Sequence, residues 1–251
     1  YGRIKGQETA ILAMGRLGSR EMTASSDLDL ILLYDFDEDS PDSDGERSLH
    51  GAQYFARLTQ RLISAFTTRT NYGVLYDVDM RLRPSGRAGP VASRIDSFAD
   101  YQEREAWTWE HMALTRARVI SAAPAFRKKI EDVIASVLTR PRDPAGTAHD
   151  VADMRRAIAL EKGEDDIWDL KLAAGGLVDI DFIAQYLQLV HASTKPEILS
   201  VSTLQVLDNA ARLGVLPQSD AEILRSAARL YHDLTQIIRL CVTDKFNPAT
   251  S

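Results

Sequence analysis

Asp27 and Asp29 stand two residues apart at the head of the run Leu28-Asp29-Leu30-Ile31-Leu32-Leu33-Tyr34. On an extended chain, residues i and i+2 share a face, and their Cα atoms lie roughly 6.5–7 Å apart. Two carboxylates drawn to about 4 Å would repel by about 4 kcal/mol at an effective dielectric of 20. Either one is protonated or a hard cation lies between them, most often Mg²⁺ when phosphates are present. On spacing alone, an N-capping Asp followed by a solvated strand end explains the pair equally well. A second acidic segment, Gly73 to Pro84, reads as a strand on which Leu75, Asp77, Asp79, Arg81 and Arg83 face one way and Val74, Tyr76 and Val78 the other. Carboxylates followed by guanidiniums on one face suit a metal–triphosphate complex, in which the metal takes Asp and the phosphates take bidentate Arg. An edge strand with a polar outer face is the plain alternative.

The elements that must hold these residues follow from periodicity. Thr9–Met14 is a short apolar run that predicts a buried strand. Gly15-Arg16-Leu17-Gly18-Ser19 reads as a turn that lets backbone approach a ligand, although such a run alone is more often a turn than a phosphate site. The apolar run after Asp29 predicts a strand buried on both faces. Asp35–Glu46, acidic and rich in Ser, Pro and Gly, predicts a mobile surface loop. Tyr54, Phe55, Leu58, Leu62, Ile63 and Phe66 recur at helical spacing within Ser48–Thr70. Pro84–Pro90 is a run of turn residues beside the proposed site, so Ser85, Gly86 and Arg87 either contact nucleotide or form a surface turn. Ser97–Ser121 predicts one or two helices with Trp107, Met112 and Leu114 inward; Arg116 and Arg118 either act directly or pair with Glu110. His111 reads as a satisfied, half-buried histidine rather than a general base.

Thr139–Thr147 carries two prolines and a glycine and is the best linker. Beyond it helical spacing dominates: Val151–Glu161, Val178–His191, Thr203–Leu213 and Asp220–Val242 predict a helical bundle. Leu224, Leu230, Tyr231, Leu234 and Ile237 are assigned to its core. The domains expected are 1–122, a helix and linker over 123–147, and a helical domain over 148–251.

The order of motifs resembles the nucleotidyltransferase superfamily of DNA polymerase β type: Gly18-Ser19, then Asp27-x-Asp29, then Asp79. Longer runs resemble glutamine synthetase adenylyltransferase. They are Ala13–Met22 with Ser26–Asp29, Asp77–Gly86, Glu105–Val119, Asp169-Leu170-Lys171, and Gly175–Phe182 with Gln185. The resemblance covers residues 1 to about 190, with Asp181 where the family usually carries Glu. It implies an α+β fold: a polymerase-β-like domain, a small mixed sheet flanked by helices, followed by a helical bundle. Asp27, Asp29 and Asp79 would be the catalytic residues and would bind Mg²⁺, as two ions, with ATP as substrate. Gly18, Ser19, Arg16, Arg81, Arg83, Arg116 and Arg118 would form the nucleotide site.

The implied reaction is transfer of AMP to a tyrosine of glutamine synthetase, in the regulation of nitrogen assimilation. The Glu105–His111 segment looks like the attaching half, usually the C-terminal one; phosphorolytic removal of AMP uses the same aspartates and is the alternative. From another class, the chain is a docking module for glutamine synthetase or a PII-type signalling protein. A transferase acting on a small molecule or an RNA end is a further alternative.

Composition narrows the field. In 251 residues the net charge is −6, against the basic face that nucleic-acid binding needs. No apolar run is long enough for a membrane span, and no secretory signal opens the chain. Cys241, the single cysteine, excludes an intramolecular disulfide, fits the reducing cytoplasm and has apolar flanks that predict burial. Tyr1 rather than Met opens the sequence, which reads as a fragment of something longer.

Overall fold

The computed structural model describes residues 1–23, 26–71, 73 and 76–241. Its elements are β1 (Glu8–Ala13), α1 (Gly15–Ser19), β2 (Leu28–Asp35), α2 (Gly51–Thr67), β3 (Val78–Asp79), β4 (Ala92–Arg94), α3 (Ile95–Arg104), α4 (Thr108–Leu114), β5 (Arg118–Ser121), α5 (Pro124–Leu138), α6 (Pro144–Lys162), α7 (Leu177–His191), α8 (Thr203–Arg212) and α9 (Gln218–Cys241). The fold is α+β. By mutual packing it divides into Tyr1–Glu21, Ser26–Ala106 and Arg116–Val137 on one side, and Met22–Ser25, Trp107–Thr115 and Leu138–Ser251 on the other. The division is not one cut in the sequence: α5 packs with the sheet-bearing unit, α4 with the helical one.

The sheet of the first unit is small and mixed. β1 runs antiparallel to β2 (Ala13 opposite Leu30) and to β5 (Leu12 opposite Val119). β3 and β4 both pair parallel with β2, at Leu28–Asp29 and Leu32–Tyr34 respectively. Leu30 to Tyr34 are all buried, as their unbroken apolar run requires of a strand covered on both faces. Ile4, Leu32, Tyr34, Phe55 and Ala92 form one core cluster, with the Tyr34 and Phe55 rings stacked at 4.3 Å. Of the expected helical stripe on α2, Phe55 reaches the core, whereas Leu58 is exposed.

Several expectations change. The strand expected over Gly73–Pro84 shortens to Val78–Asp79; Val74 and Leu75, which the alternation used, lie outside the described residues. Pairing with β2 stops at Asp79, and the turn chemistry of Pro84-Ser85-Gly86 then dominates: Ser85 is left-handed (φ 57°) and Gly86–Ala88 forms a 3-10 turn. Arg118–Ser121, read as helix, is a strand because its edge pairs with β1. The expected mobile loop 35–46 is tied down, with Asp44 accepting from Arg3 N at 2.7 Å and Lys5 pairing with Asp37 at 2.8 Å. Residues 144–147, assigned to the linker, begin α6: proline suits the first helical position, and the Asp143 carboxylate caps Gly146 N at 2.7 Å.

Asp35, at the end of β2, joins three elements. It accepts from Arg94 of β4 at 3.1 Å and from Lys129 of α5 at 2.9 Å. Burial by itself would raise this carboxyl; the bonds from Lys129 and Arg94 outweigh it and hold the group below the usual carboxylate range. Its stabilisation is therefore whole above that range and is lost as pH falls through the depressed value. Asp35→Asn is expected to cost about 1–3 kcal/mol near neutral pH, and the gap to the parent should begin to narrow below about pH 4 and close as pH falls through the depressed value. Urea unfolding curves at neutral pH and near pH 3 measure both.

In the helical unit, Ala184, Leu187, Ala192, Ile198, Val206 and Ala210 form one cluster, and Ile180, Leu207 and Ala228 another. The four helices expected here are present as α6 to α9. On α9, however, Leu230, Leu234, Ile237 and the terminal Cys241 are exposed, contrary to the core assignment; Leu224 and Tyr231 do pack on the second cluster. One helix face can turn inward, and Ala221 and Ala228 define it. Trp107, expected inside, is 72% exposed. It sits at the N-cap of α4, where the backbone N–H is engaged by Glu110 Oε2 at 2.9 Å and the ring is left outside.

Candidate active site

The short parallel pairing of β2 with β3 builds the site. Leu28 N donates to Asp77 O at 2.8 Å, and the register sets Leu28 beside Val78 and Asp29 beside Asp79. Partners in register on parallel strands project to the same face, about 4.8 Å apart at the backbone. Asp29 is pinned from its other side by Met14 N, which donates to Asp29 O at 2.9 Å. Asp27 is exposed and just precedes β2. The structure thus sets Asp29 of the Asp27-x-Asp29 pair in register with Asp79, the third aspartate expected there.

α1 borders these carboxylates. The run expected to be a plain turn is one helical turn, closed by Arg20 in the left-handed region (φ 64°) with Glu21 N donating to Arg16 O at 2.9 Å. This is a Schellman-type end. Gly15 has φ 50°, and a Cβ there would be driven into Asp29 Oδ2. Gly18 faces protein rather than ligand space: a Cβ would overlap the Arg116 carbonyl oxygen and lie 2.8 Å from Ala13 O. Ser19 is buried, its hydroxyl 3.2 Å from Gly15 O and 3.0 Å from Glu21 Oε2.

The arginines divide by role. Arg118 donates to Gly18 O at 2.9 Å and Leu17 O at 2.8 Å, bracing α1; burial, then the like charge of Arg20, lowers its pKa. Arg83 donates to Met80 O at 2.7 Å and Pro90 O at 3.0 Å and so closes the 80–90 loop. Arg116 contributes its carbonyl to the wall against Gly18, and Arg16 lies on α1. Arg81 turns back on Asp79: its N–H reaches Oδ1 at 2.8 Å, and its Nε (2.7 Å) and Nη2 both reach Oδ2. Those bonds hold the Asp79 carboxyl below the usual range against the opposing effect of burial, with the field of Arg87 adding to them. Among the described residues no three His, Cys, Asp or Glu side chains converge closely enough to form a ready metal cage.

The helical unit contains a polar centre that spacing did not reveal. Asp179 is held by Arg155 of α6 and by Gly175 N at 2.6 Å. Asp169-Leu170-Lys171 is a turn in which Asp169 Oδ1 accepts from Leu172 N at 3.1 Å. Asp181 accepts from Thr203 Oγ1 at 2.7 Å. His111 is buried with its Nδ1 3.1 Å from Arg142 Nη1, so Nδ1 is the acceptor and the imidazole is satisfied. Arg155 and Arg142 are distant in sequence from the groups they reach, which is why no local pattern disclosed them.

Residues 3–133 match a family model described as glutamate-ammonia ligase adenylyltransferase, and residues 152–245 match one described as GlnD PII-uridylyltransferase. Among curated proteins, the chain is 82% identical over 248 residues to one from Bradyrhizobium sp. (strain BTAi1), covering 99% of this chain and 25% of that protein. It is 81% identical over 251 residues to one from Rhodopseudomonas palustris (strain BisB5), with 100% and 25% covered. One from Xanthobacter autotrophicus (strain Py2) is 62% identical over 250 residues, with 99% and 25% covered. All three are named bifunctional glutamine synthetase adenylyltransferase/adenylyl-removing enzyme. The chain spans about a quarter of their length. Among the described residues, no helix is long and apolar enough to cross a membrane.

Proposed function

The chain belongs to the glutamate-ammonia ligase adenylyltransferase family, and from that premise we propose that it transfers AMP from ATP to a tyrosine hydroxyl of glutamine synthetase in the cytoplasm. The observation that carries this reading is the register of Asp29 beside Asp79 with Asp27 two residues upstream. Such an acidic pair on the edge of a small mixed sheet fits a nucleotidyltransferase core of polymerase-β type.

The donor types suit a hard divalent cation: three carboxylates on two adjoining backbone segments, not drawn together into a cage here, with the charge on Asp79 balanced by an exposed arginine. Asp27, Asp29 and Asp79 would hold Mg²⁺, as two ions. Bound there, Mg²⁺ neutralises the triphosphate and favours in-line displacement at the α-phosphorus. The protein's own groups do the rest. Asp79 is the candidate to take the proton of the tyrosine hydroxyl, whose pKa is about 10 in water. Arg16 and Arg81 would balance charge on departing pyrophosphate. Gly15 clears space for Asp29, while Gly18, Ser19 and Arg118 keep α1 in place. Arg83 holds the loop that carries Arg87 toward the carboxylates.

The relatives' name couples attachment with removal of AMP, and the same aspartates serve either direction. The Glu105–His111 segment favours attachment. The match of residues 152–245 to a PII-uridylyltransferase model supports a PII-type signalling protein as a partner of the helical unit.

The test is incubation with glutamine synthetase, Mg²⁺ and α-labelled ATP, beside a control carrying Asp27→Asn and Asp29→Asn. Label on glutamine synthetase that disappears in the control and with chelator supports attachment. Phosphate-dependent release of label from pre-modified glutamine synthetase, without attachment, overturns the direction. Neither reaction, with tight binding retained, leaves a docking module.

A further inference from the structure

Arg81 is tethered two residues from the carboxylate it grips, within the turn Asp79-Met80-Arg81. Both Asp79 oxygens are engaged from this turn: Oδ1 by the Arg81 N–H at 2.8 Å, Oδ2 by Nε at 2.7 Å and by Nη2. The partners differ in freedom. The Asp79 side chain is 13% exposed, whereas that of Arg81 is 62% exposed. The carboxylate is fixed in the sheet, and the guanidinium can leave by side-chain rotation alone. Arg81 also sits in the field of the whole cluster, since Asp79 first, and then Asp29 and Asp27, favour its cationic form.

We propose that Arg81 is the resident counter-ion of the carboxylate cluster, holding Asp79 until a divalent cation arrives with a triphosphate, to which the guanidinium then transfers. The proposal rests on the nucleotidyltransferase reading of the site and adds an order to it. A bare cation must displace a forked guanidinium from Oδ2 and gives it nothing in return. A cation that brings a triphosphate supplies new acceptors, and phosphate oxygens suit the planar fork of arginine as well as a carboxylate does. By linkage, metal and nucleotide then raise each other's affinity by the same factor. The absence of a ready metal cage among the described residues accords with Asp79 oxygens committed to Arg81. The site would thereby discriminate against free metal and admit the metal–nucleotide complex.

Mn²⁺ binding followed by electron paramagnetic resonance tests this without turnover. Mn²⁺ alone is expected to bind Arg81→Gln about tenfold more tightly than the parent. Mn²⁺ with α,β-methylene-ATP is expected to bind Arg81→Gln more weakly than the parent. Arg81→Lys, which keeps the charge and loses the fork, should fall between them for Mn²⁺ alone. Arg87→Gln removes a charge whose field reaches Asp79, and its gain for Mn²⁺ alone should be smaller than that of Arg81→Gln. Equal gains from the two Gln variants, or no gain from Arg81→Gln, overturn the counter-ion role while leaving the metal site standing. If the parent binds no Mn²⁺ with or without nucleotide, and Asp29→Asn changes nothing, the reading of the site itself fails and the proposal falls with it. Thermal unfolding in chelator verifies that each variant is folded.

Discussion

Gly18→Ala is expected to destabilise the sheet-bearing unit by more than about 3 kcal/mol. The added carbon would overlap the Arg116 carbonyl oxygen and press on Ala13 O at 2.8 Å. Both obstacles are backbone, in β1 and in the segment leading into β5, so no side-chain rotation relieves them. Relief requires α1 to lift away, which breaks the Arg118 bonds to Leu17 O and Gly18 O. Urea unfolding monitored by circular dichroism measures the loss. Gly15→Ala separates stability from chemistry: its obstacle is the side-chain oxygen Asp29 Oδ2, at a left-handed backbone position. It should lose less stability than Gly18→Ala and proportionately more activity. Equal stability losses would show that α1 does not depend on the Gly18 contact.

Asp29→Asn is expected to reduce AMP transfer by a factor on the order of 10³ or more while leaving the fold intact. The amide is isosteric and keeps every backbone bond that fixes residue 29, including the one from Met14 N. What it removes is one of the negative charges lying in register beside Asp79. Loss of a metal-holding carboxylate weakens transition-state charge stabilisation by several kcal/mol, and each 1.36 kcal/mol or so is tenfold in rate. Because the backbone bonding is unchanged, the unfolding midpoint should stay close to that of the parent. Asp77→Asn is the comparison. Asp77 is exposed, and the contact it makes with β2 uses its carbonyl oxygen, so activity should stay within a few-fold of the parent. Steady-state rates with labelled ATP, beside melting curves, decide between a chemical and a structural role. Comparable losses for Asp29→Asn and Asp77→Asn would count against Asp29 as a special member of the cluster.

Much of the organisation was legible in local patterns. The unbroken apolar run after Asp29 required a strand covered on both faces, and helical spacing marked α2 and the helices α6 to α9. The Asp27-x-Asp29 spacing and the long motifs around it identified the family, because residue types that converge on metal and phosphate are few and their order along the chain is specific. Local pattern misled where neighbouring elements compete for the same residues. Arg118–Ser121 carries too short an alternation to be distinguished from a continuing helix, and only pairing with β1 makes it a strand. The alternation over Gly73–Pro84 suggested one polar face, yet pairing with β2 ends at Asp79 and the chain turns.

The arginines show the limit most clearly. A guanidinium that suits a phosphate suits a carboxylate or a pair of carbonyls equally well, so residue type alone does not say which partner Arg81, Arg83 or Arg118 takes in the fold. Arg118 finds the end of α1 about a hundred residues earlier in the chain, Arg83 finds its own loop, and Arg81 finds Asp79. By itself the sequence singled out the candidate carboxylates and glycines and most of the elements that carry them, since period and residue chemistry are local properties. The tertiary structure alone decided that Asp79 stands beside Asp29, and which cation each anion faces, because strand register and long side chains answer to neighbours that the chain brings together only by folding.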